Sequence, residues 1–174
     1  MNDPRYPIGP FARRDELTRD ERREMIDAIA ATPARLRNAI AGLDDAQLDT
    51  PYRDGGWTVR QVAHHLPDSH VNAYVRLKLA LTEDEPTIKP YDEARWAELA
   101  DSRDTPVETS LVLLDTLHAR WISLLRSMRD DDFRRTFRHP DHGAVTVDWL
   151  VAMYAWHGRH HVAQIHSLRE RNRW

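Results

Sequence analysis

Two histidines four residues apart, His157 and His161, lie within LVAMYAWHGRHHVAQIHSL at residues 150–168. On a helix of 3.6 residues per turn, positions i and i+4 stand about 40° apart with Cβ atoms roughly 5–6 Å from each other, close enough to grip one metal ion. Leu150, Tyr154, His157, His161, Ile165 and Leu168 succeed one another at steps of 4, 3, 4, 4 and 3. That is the spacing of a bundle seam, so both imidazoles are expected to face the core. A buried imidazole pair is costly unless its nitrogens are satisfied, and a divalent metal satisfies them while selecting the neutral ring. A single inward histidine is more often a hydrogen-bonded core residue, so a third ligand from another helix decides between metal and packing.

The chain has no cysteine, which removes thiolate as nucleophile or ligand and leaves histidine and carboxylate for any metal site. His64, His65 and His70 fall on a predicted second helix, and His118 falls on a third. Phase favours His70, about 30° from the centre of the apolar stripe, over His65 at about 110° and His64 on the far side. A bundle helix touches two neighbours, however, and an off-centre His65 can still reach a central cavity. His65, His70 and His118 therefore all stay open as the third ligand. His139 and His142, flanking Pro140 and Asp141, read as loop histidines, and His160 and His166 as solvent-side or rim residues. No general base stands out. Asp68, Gln164 and His118 are candidates to orient ligand imidazoles, and each reads equally well as packing or surface.

Four helices must carry these groups. Thr18 and Glu21 form a capping box, and Ile26, Ile29, Pro33, Leu36, Ile40 and Leu43 keep a helical period after it, predicting a first helix near 19–42 that ends at Gly42. Pro33 should kink or split it, with Thr32 able to cap the second half. Thr58 and Gln61 open a second helix near 58–82 along Val59, Val62, Leu66, Ala73, Leu77 and Ala80, with Pro67 expected to bend it. The segment 82–104 carries Pro86, Pro90 and a short helical run, and its length suits a crossover. Thr105, Pro106 and Glu108 predict a capping box for a third helix near 106–128, with its seam at Val107, Leu111, Leu114, His118, Trp121, Leu125 and Met128. A charged, turn-rich loop, RDDDFRRTFRHPDHGAV, leads to Thr146, the predicted cap of the fourth helix near 147–170. Residues 1–17, with Pro4, Pro7 and Pro10, read as an extended N-terminal arm.

The 174 residues suffice for one domain with a sizeable core. Lys and Arg total 25 against 28 Asp and Glu, a formal charge of −3 that offers no argument for nucleic acid or an anionic membrane. There is no apolar run of membrane-spanning length, no signal-like N-terminus and no glycine-rich phosphate loop. A cytoplasmic protein acting on a small molecule is the expectation.

GGWTVRQVAHHL resembles the start of the second helix in the DinB/YfiT-like superfamily, where a tryptophan, a small hydroxyl residue and a branched residue precede a metal-binding histidine followed by an aliphatic one. On that pattern the ligand is His65, followed by Leu66. WHGRHH resembles the superfamily's His-x-x-x-His pair at His157 and His161, and PYRDGGWT, KPYDEARWAELADSR and HPDHG resemble its YfiT branch, so the likeness covers nearly the whole chain. The resemblance implies an all-α four-helix bundle with long crossover connections, one divalent metal, zinc or nickel, held by His65, His157 and His161, and a homodimer. It also implies a metal-dependent hydrolase of small molecules or, as in relatives, an S-transferase for low-molecular-weight thiols such as bacillithiol or mycothiol. Three imidazoles leave a coordination position open, which separates catalytic sites from closed structural ones. A metal-binding module without turnover is the reading from another class; a chain this long needs no metal staple to fold.

Overall fold

In the computed structural model, which describes residues 3–174, the predicted first helix is two. α1 (Arg19–Ala30) begins at the Thr18/Glu21 capping box, and α2 (Thr32–Ile40) follows after one residue. Pro33 sets the break. Thr32 does not cap α2; its hydroxyl donates to the Ala28 carbonyl and Ala31 stands at the cap instead, because the Ala31 backbone is still helical and leaves no extended residue to cap from. The rod stops at Ile40, ahead of Gly42 with its positive φ of 77°.

A one-turn helix, α3 (Asp45–Leu48), leads to α4 (Val59–Thr82), which opens at the predicted Thr58/Gln61 capping box. α4 runs unbroken through Pro67, so the proline forfeits a single backbone bond rather than dividing the helix. Two short helices, α5 (Glu93–Trp96) and α6 (Ala100–Asp104), precede α7 (Val107–Ser127). The predicted capping box of α7 does not form. Pro106 occupies the cap, and the Thr105 carbonyl accepts a hydrogen bond from His64 instead. The expected loop before the last helix contains a two-stranded antiparallel hairpin, β1 (Thr136–His139) and β2 (Gly143–Thr146), that pairs His139 with Gly143 across a three-residue turn. Gly143 takes φ 72° there, the left-handed position such turns require. Thr146 then caps α8 (Val147–Asn172) by accepting from Trp149 N.

The α1–α2 rod packs against α7 and α8, and α4 packs against the same two helices. Sequence neighbours α1–α2 and α4 thus sit diagonally, as do α7 and α8. The crossovers are the segments 41–58 and 128–146. The segment 82–104, expected to cross the bundle, joins adjacent helices; α5 and α6 fold back on α4.

The arm lies along α8, with Phe11 against Trp149 and Trp156 and the Trp156 indole donating to the Gly9 carbonyl at 3.1 Å. At its end, Asp148 receives Arg22 through two bonds of 2.8 and 2.9 Å and the Leu17 amide at 3.1 Å, all buried. This ion pair clamps α1 to the first turn of α8. Gly158 permits the close approach of α8 to α2, because a Cβ there would strike the Thr32 side chain.

The apolar core has two parts. One gathers Ile29, Leu77, Trp121, Phe137, Trp149 and Leu150; the other gathers Leu36, Val62, Leu66, Leu114, Ile165 and Leu168. Between them, on α4, α7 and α8, lies a layer of buried histidines.

Candidate metal centre

The layer is built by helical spacing. α8 supplies His157 and His161 one turn apart, with ring centroids 4.5 Å from each other. α4 supplies His65, whose ring lies 5.2 Å from His157 and 4.9 Å from His161. One nitrogen from each of the three falls within 4.8 Å of the others. His65 Nε2 stands 3.2 Å from His157 Nε2, against the separation of about 3.3 Å that two nitrogens bound tetrahedrally at 2.0–2.1 Å would show. Donor type and spacing fit a zinc-like divalent ion. Trp57 covers the group, 4.7 Å from the His65 ring and stacked toward His161.

His70 and His118, the other two candidates for third ligand, do something else. His118 Nδ1 lies 2.9 Å from the Ile29 carbonyl oxygen, His118 Nε2 lies 2.7 Å from His70 Nδ1, and His70 Nε2 lies 3.2 Å from His157 Nδ1. A carbonyl can only accept, so His118 carries its proton on Nδ1 and presents a lone pair at Nε2. His70 must then donate from Nδ1 and accept at Nε2, and His157 must donate from Nδ1. The His157 Nε2 lone pair is left facing His65. A continuous helix would give the Ile29 carbonyl the amide of residue 33, but that residue is Pro33, so the carbonyl is available to His118.

His161 is fixed in the same sense, since its Nδ1 donates to Gln164 Oε1 at 2.8 Å, and Gln164 Nε2 donates to His160 Nε2 at 3.0 Å and to the Arg5 carbonyl at 3.3 Å. The Gln164 expectation is met. The Asp68 one is not: its carboxyl is pushed up to about 6 by burial and by Asp101, with no hydrogen bond to an imidazole. His160, expected at the rim, is buried and stacked on Trp156 at 4.4 Å, because the N-terminal arm covers that side of α8. His166 is exposed.

Burial dominates the electrostatics. It pushes His65 and His118 down to about 4, and with help from neighbouring imidazoles it holds His70, His157 and His161 well below the ordinary histidine value. All five rings are neutral at pH 7, the form that ligates metal. His64 points away, accepting from Ser110 Oγ at 2.7 Å and donating to the Thr105 carbonyl at 3.0 Å. His139 and His142 sit on the hairpin, outside the ligating group.

The three clustered histidines line a cavity of about 360 Å³, which continues past Ser69, Tyr91 and Tyr154 to Arg76 and the hairpin. A cavity of about 490 Å³ between α1 and α7 holds arginines and Asp130 but no such cluster. No helix among the described residues is long and apolar enough to cross a membrane.

The sequence profile of the DinB superfamily matches residues 28–165. Proteins of Bacillus cereus strain ATCC 14579 and Bacillus anthracis strain A0248, each named "putative metal-dependent hydrolase", are 55% identical over all 174 residues of both chains. The solved structure of YfiT from Bacillus subtilis, described as "a probable metal-dependent hydrolase with an unusual four-helix bundle topology", superposes with a TM-score of 0.95 at 47% identity, covering 98% of each chain. Another solved four-helix bundle protein, 23% identical with a TM-score of 0.59 over 81% of this chain and 94% of its own, shares the fold. With the diagonal crossovers and the histidine layer in place, these matches mean that the chain belongs to the DinB superfamily.

Proposed function

We propose that His65, His157 and His161 hold one divalent metal ion, zinc or nickel, and that the protein is a metal-dependent hydrolase of a small molecule. The observation that carries this reading is the convergence of three neutral imidazole nitrogens within 4.8 Å on the wall of an open cavity. Three protein ligands with a vacant position distinguish catalytic from structural zinc, and such an ion lowers the pKa of bound water to about 7 and polarises a carbonyl. The chain's own part is to keep the lone pairs aimed: Ile29, His118 and His70 fix the tautomer of His157, and Gln164 fixes that of His161. Trp57, Tyr91 and Tyr154 shape the space in which a substrate is oriented. Burial holds all three rings in the neutral form, so protons do not compete with the metal for them near neutrality.

The same reading takes the chain as a cytoplasmic homodimer. Val71 and Val75 of α4 and Val112 and Leu113 of α7 are exposed apolar side chains on packed neighbours, and sedimentation at micromolar concentration checks the assembly. Function is tested by a panel in which the metal-loaded protein meets esters and amides beside low-molecular-weight thiols with electrophiles. Metal-dependent release of acid from an ester or amide is expected. Conjugation of thiol without hydrolysis would replace the reading with thiol transfer, and no turnover on either set would favour a binding module.

A further inference from the structure

The cavity extends beyond the three histidines, and its far end has a chemistry of its own. Arg76 of α4 is half-buried there and lines the same space as His65, His157 and His161. Among the described residues no carboxylate forms an ion pair with it. Its Nη2 donates to the Lys89 carbonyl at a long 3.4 Å, its guanidinium also reaches the Tyr154 phenol oxygen, and its charge is felt by His139. Most of its five N–H donors are therefore unspent.

His139 stands beside it at the end of β1, only 9% exposed. The hairpin turn sets its tautomer. The Asp141 amide donates to His139 Nδ1 at 3.2 Å, so the neutral ring carries its proton on Nε2 as a second donor. Burial and the Arg76 charge push His139 down to about 4, which keeps it neutral and in that donor form at pH 7.

Two carboxylates also line the space, Glu93 and Asp141. Both are exposed, and Asp141 approaches His139 on the Nδ1 side, 3.8 Å away. Neither neutralises Arg76. The same space is also lined by Tyr91, Trp149, Met153 and Tyr154, largely aromatic and apolar walls suited to a short carbon chain. A volume of about 360 Å³ lies at the low end of ligand pockets.

We propose that Arg76 and His139 form an anion subsite, and that the substrate is a small molecule bearing a carboxylate held there while its reacting group lies at His65, His157 and His161. The inference rests on the metal reading above. A planar guanidinium matches a carboxylate through two parallel bonds, and one cation with one neutral donor balances a single negative charge better than a phosphate dianion.

The test uses metal-loaded protein and hydroxamates, which chelate through one end. Acetohydroxamate probes the metal alone. Monohydroxamates of succinate, glutarate and adipate add a carboxylate at increasing distance, and their methyl esters remove its charge. At one chain length the free carboxylate should bind at least about tenfold tighter than its ester by calorimetry. Arg76→Met and His139→Phe should abolish that preference while leaving acetohydroxamate binding unchanged. No preference at any length, a preference that survives Arg76→Met, or tighter binding of a phosphonate analogue overturns the proposal. If acetohydroxamate fails to bind, the metal reading falls. The subsite is then decided on metal-free protein, where glutarate should shift the Arg76 Nε–H resonance saturably, and a resonance that does not move rejects it.

Discussion

The nitrogen that a histidine offers to a metal is chosen by whatever its other nitrogen touches, and here that choice begins on a backbone carbonyl. Ile29 O fixes His118, His118 fixes His70 and His70 fixes His157. His118→Phe removes the acceptor for His70 Nδ1–H and frees the chain to invert. Metal affinity should fall roughly 10–100-fold, read by competition with a chromogenic chelator, and ¹⁵N spectra should show His157 losing its Nδ1–H tautomer. His64→Phe, on the Ser110 side, should leave both unchanged. An unaltered affinity in His118→Phe would show that the tautomer is fixed by other means. The His157/His161 pair was legible in sequence because a single helix carries both and 3.6-residue spacing applies. The third position was not. Phase on α4 ranks His70 above His65 but is silent on which neighbouring helix each faces; His70 spends its nitrogens on His118 and His157, and only the family likeness pointed to His65. That His118 acts through His70 depends on a carbonyl exposed by Pro33 on a different helix, which no local pattern reveals.

Capping chemistry foretold the elements well where an extended residue stood ready to cap, at Thr18, Thr58 and Thr146. It failed at Thr32 and Thr105, where the preceding backbone or a competing partner claimed the position. The hairpin is not legible because its strands are four residues each and directly follow the charged run RDDDFRR; Arg135, the last charge of that run, donates to the carbonyls of Ala80 and Glu83 and ties the hairpin to the end of α4. The bundle has the long crossovers the sequence predicts, but not at 82–104: length suggests that segment, whereas α5 and α6 take up its length against α4. The join of α1 to α8 rests on Asp148. Asp148→Ala should cost about 3 kcal/mol by urea unfolding, the low end for breaking a buried pair, because Arg22 loses both of its short bonds to Asp148 and keeps only the half-exposed Asp130 carboxylate at 3.2 Å and the Leu17 carbonyl. Arg19→Ala, which loses an exposed partner in Asp130, should cost under about 1 kcal/mol. Equal effects would show that the clamp carries no special weight.

Across the whole molecule, the buried histidine layer links stability to pH. His65, His118, His139 and His160 are each pushed down to about 4, while in the unfolded chain they titrate near 6.5. Between those values the unfolded state binds more protons, so stability falls as pH drops from about 6.5 toward 4. Asp68, raised to about 6, works in the opposite direction over much of the same window, but it is one group against four. Metal-free protein should therefore show a lower urea midpoint at pH 5 than at pH 7.5, and a flat or rising midpoint would mean that the histidines are not held neutral by burial. The central claim, that His65, His157 and His161 are the metal ligands, is tested most directly by elemental analysis of the purified protein and its single alanine variants. One divalent ion per chain is expected in the wild type and in His64→Ala, with sharp loss in His65→Ala, His157→Ala and His161→Ala. Full metal content in His161→Ala, or loss in His70→Ala with none in His65→Ala, would contradict it.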